Sequence, residues 1–68
     1  MPERLLNSLK ERRTELGLTQ AELAERVGVT RKTVNTVENG VFVPSALLAL
    51  KLAEALSVPV ETLFRIER

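Results

Sequence analysis

The sequence predicts an all-α fold, a compact bundle of five short helices. Three observations predict it. The three glycines and three prolines cut the 68-residue chain into helix-length pieces. Apolar residues inside those pieces recur at three- and four-residue spacing. A hydroxyl-bearing residue stands where each of the middle helices would begin. No two-residue alternation persists, so the pieces do not read as strands.

The first helix is expected from Glu3 to Leu16, after Pro2, with Leu5, Leu6, Leu9 and Leu16 at helical spacing and Gly17 as a left-handed stop. Thr19 opens the second, Gln20 to Val27, and Glu22 three positions on completes a capping box, in which hydroxyl and carboxylate each satisfy an orphan backbone donor. Gly28 ends it. Thr30 caps the third helix, Arg31 to about Asn39, which sets Val34 and Val37 on one face before Gly40. After Val41, Phe42, Val43 and Pro44, Ser45 caps a fourth, in which Ala46, Ala49, Leu50, Ala53 and Leu56 share a face until Ser57 and Pro59 break it. A last short turn, about Val60 to Phe64, offers Leu63 to the core. With no repeats and no low-complexity tract, residues 1–68 read as one domain.

Composition excludes several classes of function. The chain has no cysteine, hence no disulfide framework, thiolate metal site or cysteine nucleophile. It has no histidine either, the commonest metal ligand and general base. No catalytic residue, metal or cofactor is therefore expected, and the chain does not read as an enzyme. At 44% hydrophobic and 28% charged it is ordinarily globular. The longest apolar run, Ala46 to Leu50, is far too short to span a bilayer, and a cytoplasmic address is expected. The net charge of +1 does not announce a nucleic-acid partner, so any such reading needs local evidence.

That evidence lies between Gln20 and Asn39. A three-residue turn of Gly28, Val29 and Thr30 lets two short helices cross steeply, which needs a small residue at the close approach and a glycine at the reversal. Ala24 and Gly28 meet those needs. Leu23, Val27, Val29, Val34 and Val37 fill the wedge, and the opposite face of the third helix is left to Arg31, Lys32, Asn35 and Thr36. No acidic residue interrupts that face before Glu38.

The stretch TQAELAERVGVTRKTVNTVENG resembles the helix-turn-helix of the Cro and phage-repressor type, the Xre family. The likeness runs from about Leu5 to Phe64, through the ELGLTQ entry, the VENG exit and the PSALLALKLAEALSVPVETLF tail. It implies a five-helix domain of repressor type, helix-turn-helix at about residues 20–39, that binds double-stranded DNA with the third helix in the major groove. It also implies a two-fold homodimer on a pseudo-palindromic operator.

Residue by residue, Arg31 and Lys32 would donate to guanine O6 and N7, the alternative being a solvated pair of cations. Many relatives have Gln where Lys32 stands. Asn35 would pair with adenine and the Thr36 methyl would touch thymine. Gln20, at the start of the second helix, would offer its amide and backbone N–H to a phosphate, joined by Thr30, Thr33 and Asn39. Thr30 is also a helix cap, and the two roles compete for one oxygen. Val41 stands where the family commonly has Lys or Arg, so one backbone anchor is missing. The resemblance further implies that Arg13 pairs with Glu38 and fixes the angle of the third helix. Leu47, projecting with Lys51 and Glu54, together with Phe42, Phe64 and Ile66, is more apolar surface than a small core absorbs, and suggests dimerisation through the fourth and fifth helices and the tail. Repression by occupying a promoter is the leading function. A protein-interaction adaptor or antitoxin-like partner, with DNA contact secondary, is the other.

Overall fold

The computed structural model describes residues 3–67, and Pro2, the residue expected to precede the first helix, lies outside them. The elements run β1 (Arg4–Asn7), α1 (Leu9–Glu15), α2 (Gln20–Val27), α3 (Arg31–Glu38), α4 (Ala46–Ala55), α5 (Val60–Leu63) and β2 (Phe64–Glu67). Five helices are present as expected, but the all-α expectation needs correction. The two ends of the chain pair as an antiparallel ribbon, Arg4 opposite Glu67, Leu5 opposite Ile66, Leu6 opposite Arg65 and Asn7 opposite Phe64.

The expected helix from Glu3 therefore begins only at Leu9. Asn7 Oδ1 accepts the Leu9 N–H at 3.1 Å, a local bond that ends extended chain and starts the helix. Upstream of it, pairing sets Leu5 against β-branched Ile66 and satisfies the backbone across the ladder. Phe64, assigned by sequence to the last helix, opens β2. The Ser8 N–H donates to the Leu63 carbonyl at 2.8 Å and joins the start of α1 to the end of α5.

The caps read from the sequence are in place. Thr19 Oγ1 accepts the Glu22 N–H at 3.0 Å while Glu22 Oε1 accepts the Thr19 N–H at 2.8 Å. The backbone bond from Thr19 holds the Glu22 carboxyl below its ordinary value. Thr30 and Ser45 cap α3 and α4 by the hydroxyl alone, which accepts the Thr33 and Leu48 N–H groups.

Leu9, Leu18, Leu23, Ala24, Val27, Val34, Val37, Leu52, Ala53, Leu56 and Leu63 form the core. Ala24 is buried where α2 and α3 meet, and the turn between them closes with the Val29 N–H on the Ala24 carbonyl at 3.0 Å. On α4 the inward face is rotated from the one expected. Leu52 is buried and Leu50 stands 57% exposed beside Ala46. This helix is apolar nearly all round, so spacing alone does not choose a face. Lys51 and Glu54 do choose it, because the side opposite them carries Ala49, Leu52, Ala53 and Leu56. Leu16 is exposed rather than inward, and Leu18, just past Gly17, takes the core position. No described helix is long and apolar enough to cross a membrane.

One buried ion pair joins the first helix to the third. Arg13 Nε donates to Glu38 Oε2 at 2.6 Å and Arg13 Nη2 to Glu38 Oε1 at 3.2 Å, with the side chains only 12% and 3% exposed. Arg13 Nη1 donates in addition to the Leu18 carbonyl at 2.8 Å.

Two stability measurements follow from this packing. Glu38→Ala leaves a buried guanidinium without its carboxylate and is expected to lower the unfolding free energy by about 3–5 kcal/mol in urea titration. Replacing the pair together, Arg13→Met with Glu38→Leu, should recover most of that loss, and a double variant as unstable as the single one would contradict it. At Gly28, a Cβ would meet nothing within 4 Å, but the backbone φ is +77°. Gly28→Ala is accordingly expected to cost only about 1–2 kcal/mol, the conformational penalty alone, and Gly28→Val more, because branching at Cβ resists positive φ.

Candidate nucleic-acid interface

Helix α3 is two-sided. Val34 and Val37 are buried against the core, and Arg31, Lys32, Asn35 and Asn39 are exposed on the other side. Thr33 and Thr36 lie half-buried between the two faces. Among the described residues neither Arg31 nor Lys32 has a carboxylate or carbonyl partner. The only acidic residue of α3, Glu38, is turned inward and neutralised by Arg13, so the two cations at the N-terminal end stand on a surface with no opposing charge from their own helix.

The remaining polar groups of this edge are more committed than the sequence suggested. Thr30 Oγ1 caps the Thr33 N–H at 3.2 Å and lies 3.0 Å from Thr33 Oγ1, so the two hydroxyls share one hydrogen bond. Thr36 Oγ1 donates to the Thr33 carbonyl at 2.9 Å, which spends its one hydrogen and leaves the methyl and an acceptor oxygen. Gln20 Nε2 donates to Glu38 Oε1 at 3.0 Å and to Asn35 Oδ1 at 3.2 Å. Both its hydrogens are thereby used within the protein, and the expected offer of this amide to a phosphate is not available in this arrangement. The backbone N–H of Gln20, at the first position of α2, is the donor that residue keeps. Asn39 Nδ2 donates to Asn35 Oδ1 at 3.1 Å, so Gln20, Asn35, Glu38 and Asn39 form one network on the flank of α3. Composition and spacing gave no sign of it. Three amides and a carboxylate spread over two helices are ordinary surface residues until the helices cross.

Past α3 the chain folds back along it. The Val41 and Phe42 N–H groups both donate to the Thr36 carbonyl, at 3.0 and 3.2 Å. Val41, 78% exposed, and Phe42 then border a shallow apolar hollow with Thr30, Lys32, Thr33 and Thr36. The missing cation at Val41 is thus replaced by apolar surface beside the exposed helix edge.

Comparison with known proteins agrees with this geometry. The sequence profile of the helix-turn-helix family matches residues 9–68. The chain is 49% identical over 61 residues to the uncharacterized HTH-type transcriptional regulator YgzD of Bacillus subtilis, covering 90% of this chain and 92% of that protein. Among solved structures, the restriction-modification controller protein C.AhdI of Aeromonas hydrophila superposes with a TM-score of 0.76 at 41% identity, over 79% of this chain and 82% of that one. The P22 c2 repressor, solved in complex with a synthetic operator, also superposes at 0.76, with 28% identity over 78% of this chain and 80% of that one. With the buried Arg13–Glu38 brace, the glycine turn at Gly28 and the exposed edge of α3 matched by a profile that spans nearly all of it, the chain belongs to the helix-turn-helix family of Xre type.

Proposed function

We propose that this protein binds double-stranded DNA sequence-specifically in the cytoplasm and regulates transcription, as a repressor, by occupying an operator. The observation that carries the reading is the free leading edge of α3. Arg31 and Lys32 are exposed, unpaired among the described residues, and held out by a helix whose other face is buried in the core. Such an edge fits the major groove, where a cation donates to guanine O6 and N7 and the phosphates draw the protein in. Thr30, Thr33, Asn39 and the backbone N–H of Gln20 flank the same edge and are assigned to the DNA backbone, and Thr36 to a thymine methyl. The relatives' descriptions as transcriptional regulators and the operator bound in the P22 c2 repressor structure support this reading.

The working form is a homodimer. A lone module buries roughly 600–1,000 Å² of its own surface on DNA, little for choosing one site in a genome. Leu47 and Leu50, 65% and 57% exposed on α4, supply an apolar patch, and Phe42 in the loop and Ile66 in the tail are exposed as well. A two-fold axis through such a patch would set the two α3 helices about 34 Å apart on a pseudo-palindromic operator. The same apolar residues are what an adaptor or antitoxin-like partner would use, and such a protein would show little affinity for duplex DNA.

Two measurements test the reading. Against a random duplex pool, affinity is expected to fall with salt with a log–log slope of about −0.9 per phosphate contacted. On the selected site, Arg31→Ala should cost about 1–3 kcal/mol and relax preference at one base position. Absence of duplex affinity at low salt would favour the adaptor instead. For the dimer, Leu50→Glu should shift light scattering from dimer to monomer with an unchanged circular dichroism spectrum, and a wild-type chain that stays monomeric at high micromolar concentration would exclude it.

A further inference from the structure

The outward polarity of the α3 edge is set from inside. The Glu38 carboxylate can only accept hydrogen bonds. Its Oε2 takes Arg13 Nε, and its Oε1 takes Arg13 Nη2 and, at 3.0 Å, the side-chain amide of Gln20. The atom of Gln20 that faces a carboxylate must be its nitrogen, so the orientation of this amide is fixed. The second hydrogen of that nitrogen points to an atom of Asn35 3.2 Å away, which must then be the oxygen Oδ1. Asn39 Nδ2 donates to the same oxygen at 3.1 Å. A carboxamide oxygen has two lone pairs, and both are occupied. What Asn35 turns outward is its Nδ2, with two hydrogens and no partner among the described residues.

We infer that Asn35 is a duplex-contacting residue that acts as a hydrogen-bond donor only, so that its ligand on the duplex is an acceptor and not an adenine held at two points. Two-point recognition of adenine needs the amide oxygen to accept from N6 while the nitrogen donates to N7. Here the oxygen is spent on Gln20 and Asn39, and a flip would turn the Asn35 nitrogen toward two other nitrogen donors. Acceptors that suit two outward hydrogens are guanine N7 and O6, thymine O4 or a phosphate oxygen. The adenine contact expected from the residue type is replaced by a contact dictated by the neighbours. This inference rests on the duplex-binding reading given above.

Asn35→Asp tests it on the full chain. An aspartate keeps an inward oxygen for Gln20 and Asn39 and exchanges only the outward nitrogen for oxygen, and an unchanged melting temperature checks that the fold persists. Selection from a random duplex pool is run for the wild type, Asn35→Asp and the uncharged Asn35→Ala. Both variants are expected to bind about ten-fold or more weakly. Loss of a base preference at one position assigns the donor to a base edge, and equal loss on every duplex assigns it to a phosphate. Either result supports the inference. Wild-type affinity in Asn35→Ala overturns it, as does an Asn35-dependent loss of binding when a selected adenine is replaced by purine, which lacks only the N6 donor. Side-chain amide exchange by NMR reads the polarity without DNA. Both Gln20 Nε2 hydrogens should exchange slowly and those of Asn35 at the solvent rate, and the reverse pattern overturns the inference even if DNA is bound. A wild-type chain that binds no duplex defeats the functional reading and the Asn35 contact with it, and the exchange pattern then shows whether the amide network itself stands.

Discussion

The ion pair of Arg13 and Glu38 is the constraint on which the exposed surface depends. Two opposite charges taken out of water cost more than their attraction returns unless the remaining hydrogen-bonding capacity of both is satisfied. Here it is well supplied. The carboxylate takes two donors from Arg13 and one from Gln20, and the guanidinium also reaches the Leu18 carbonyl. The four groups come from α1, the turn after it, α2 and α3, so any rotation of α3 about its own axis breaks several charge-assisted bonds at once. A helix of eight residues is too short to hold itself in place, and this brace holds it.

From that centre the surface is organised outward. The buried carboxylate orients the Gln20 amide, which orients Asn35, to which Asn39 adds a second donor. The far end of α3 is tied as well. Asn7 Nδ2 donates to the Val37 carbonyl at 3.0 Å, and the ribbon of β1 and β2 fixes Asn7 in turn. The chain ends thus contribute to placing the C-terminal turn of α3, although they lie far from it in sequence. The exposed Arg4–Glu67 pair at the tip of the ribbon adds little of its own, since both partners are well solvated.

Much of this architecture was legible in the residues. Hydroxyl caps and left-handed glycines are local devices, and Thr19, Thr30, Ser45, Gly17, Gly28 and Gly40 act as their types and positions require. The wedge of Leu23, Ala24, Val27, Val34 and Val37 was legible because small and apolar residues were confined to one helical face. The ribbon was not. Four residues are too few to show alternation, and each strand exists only because the other end of the chain lies beside it. The face of α4 is not legible from its apolar residues, because an almost wholly apolar helix carries its direction in its few polar ones, Lys51 and Glu54.

The sequence by itself determined five helices, where the middle three start, the packing of α2 against α3 and the identity of the cations at the head of α3. These follow from backbone preferences and from periodicity, which act over a few residues. Only the tertiary structure decided that Gln20 spends its amide on Glu38, that Asn35 shows a donor and hides an acceptor, and that the chain ends pair. Each of these is a choice among partners equally available to the residue type, and it is made by whichever group the packed helices and paired ends bring within hydrogen-bonding reach.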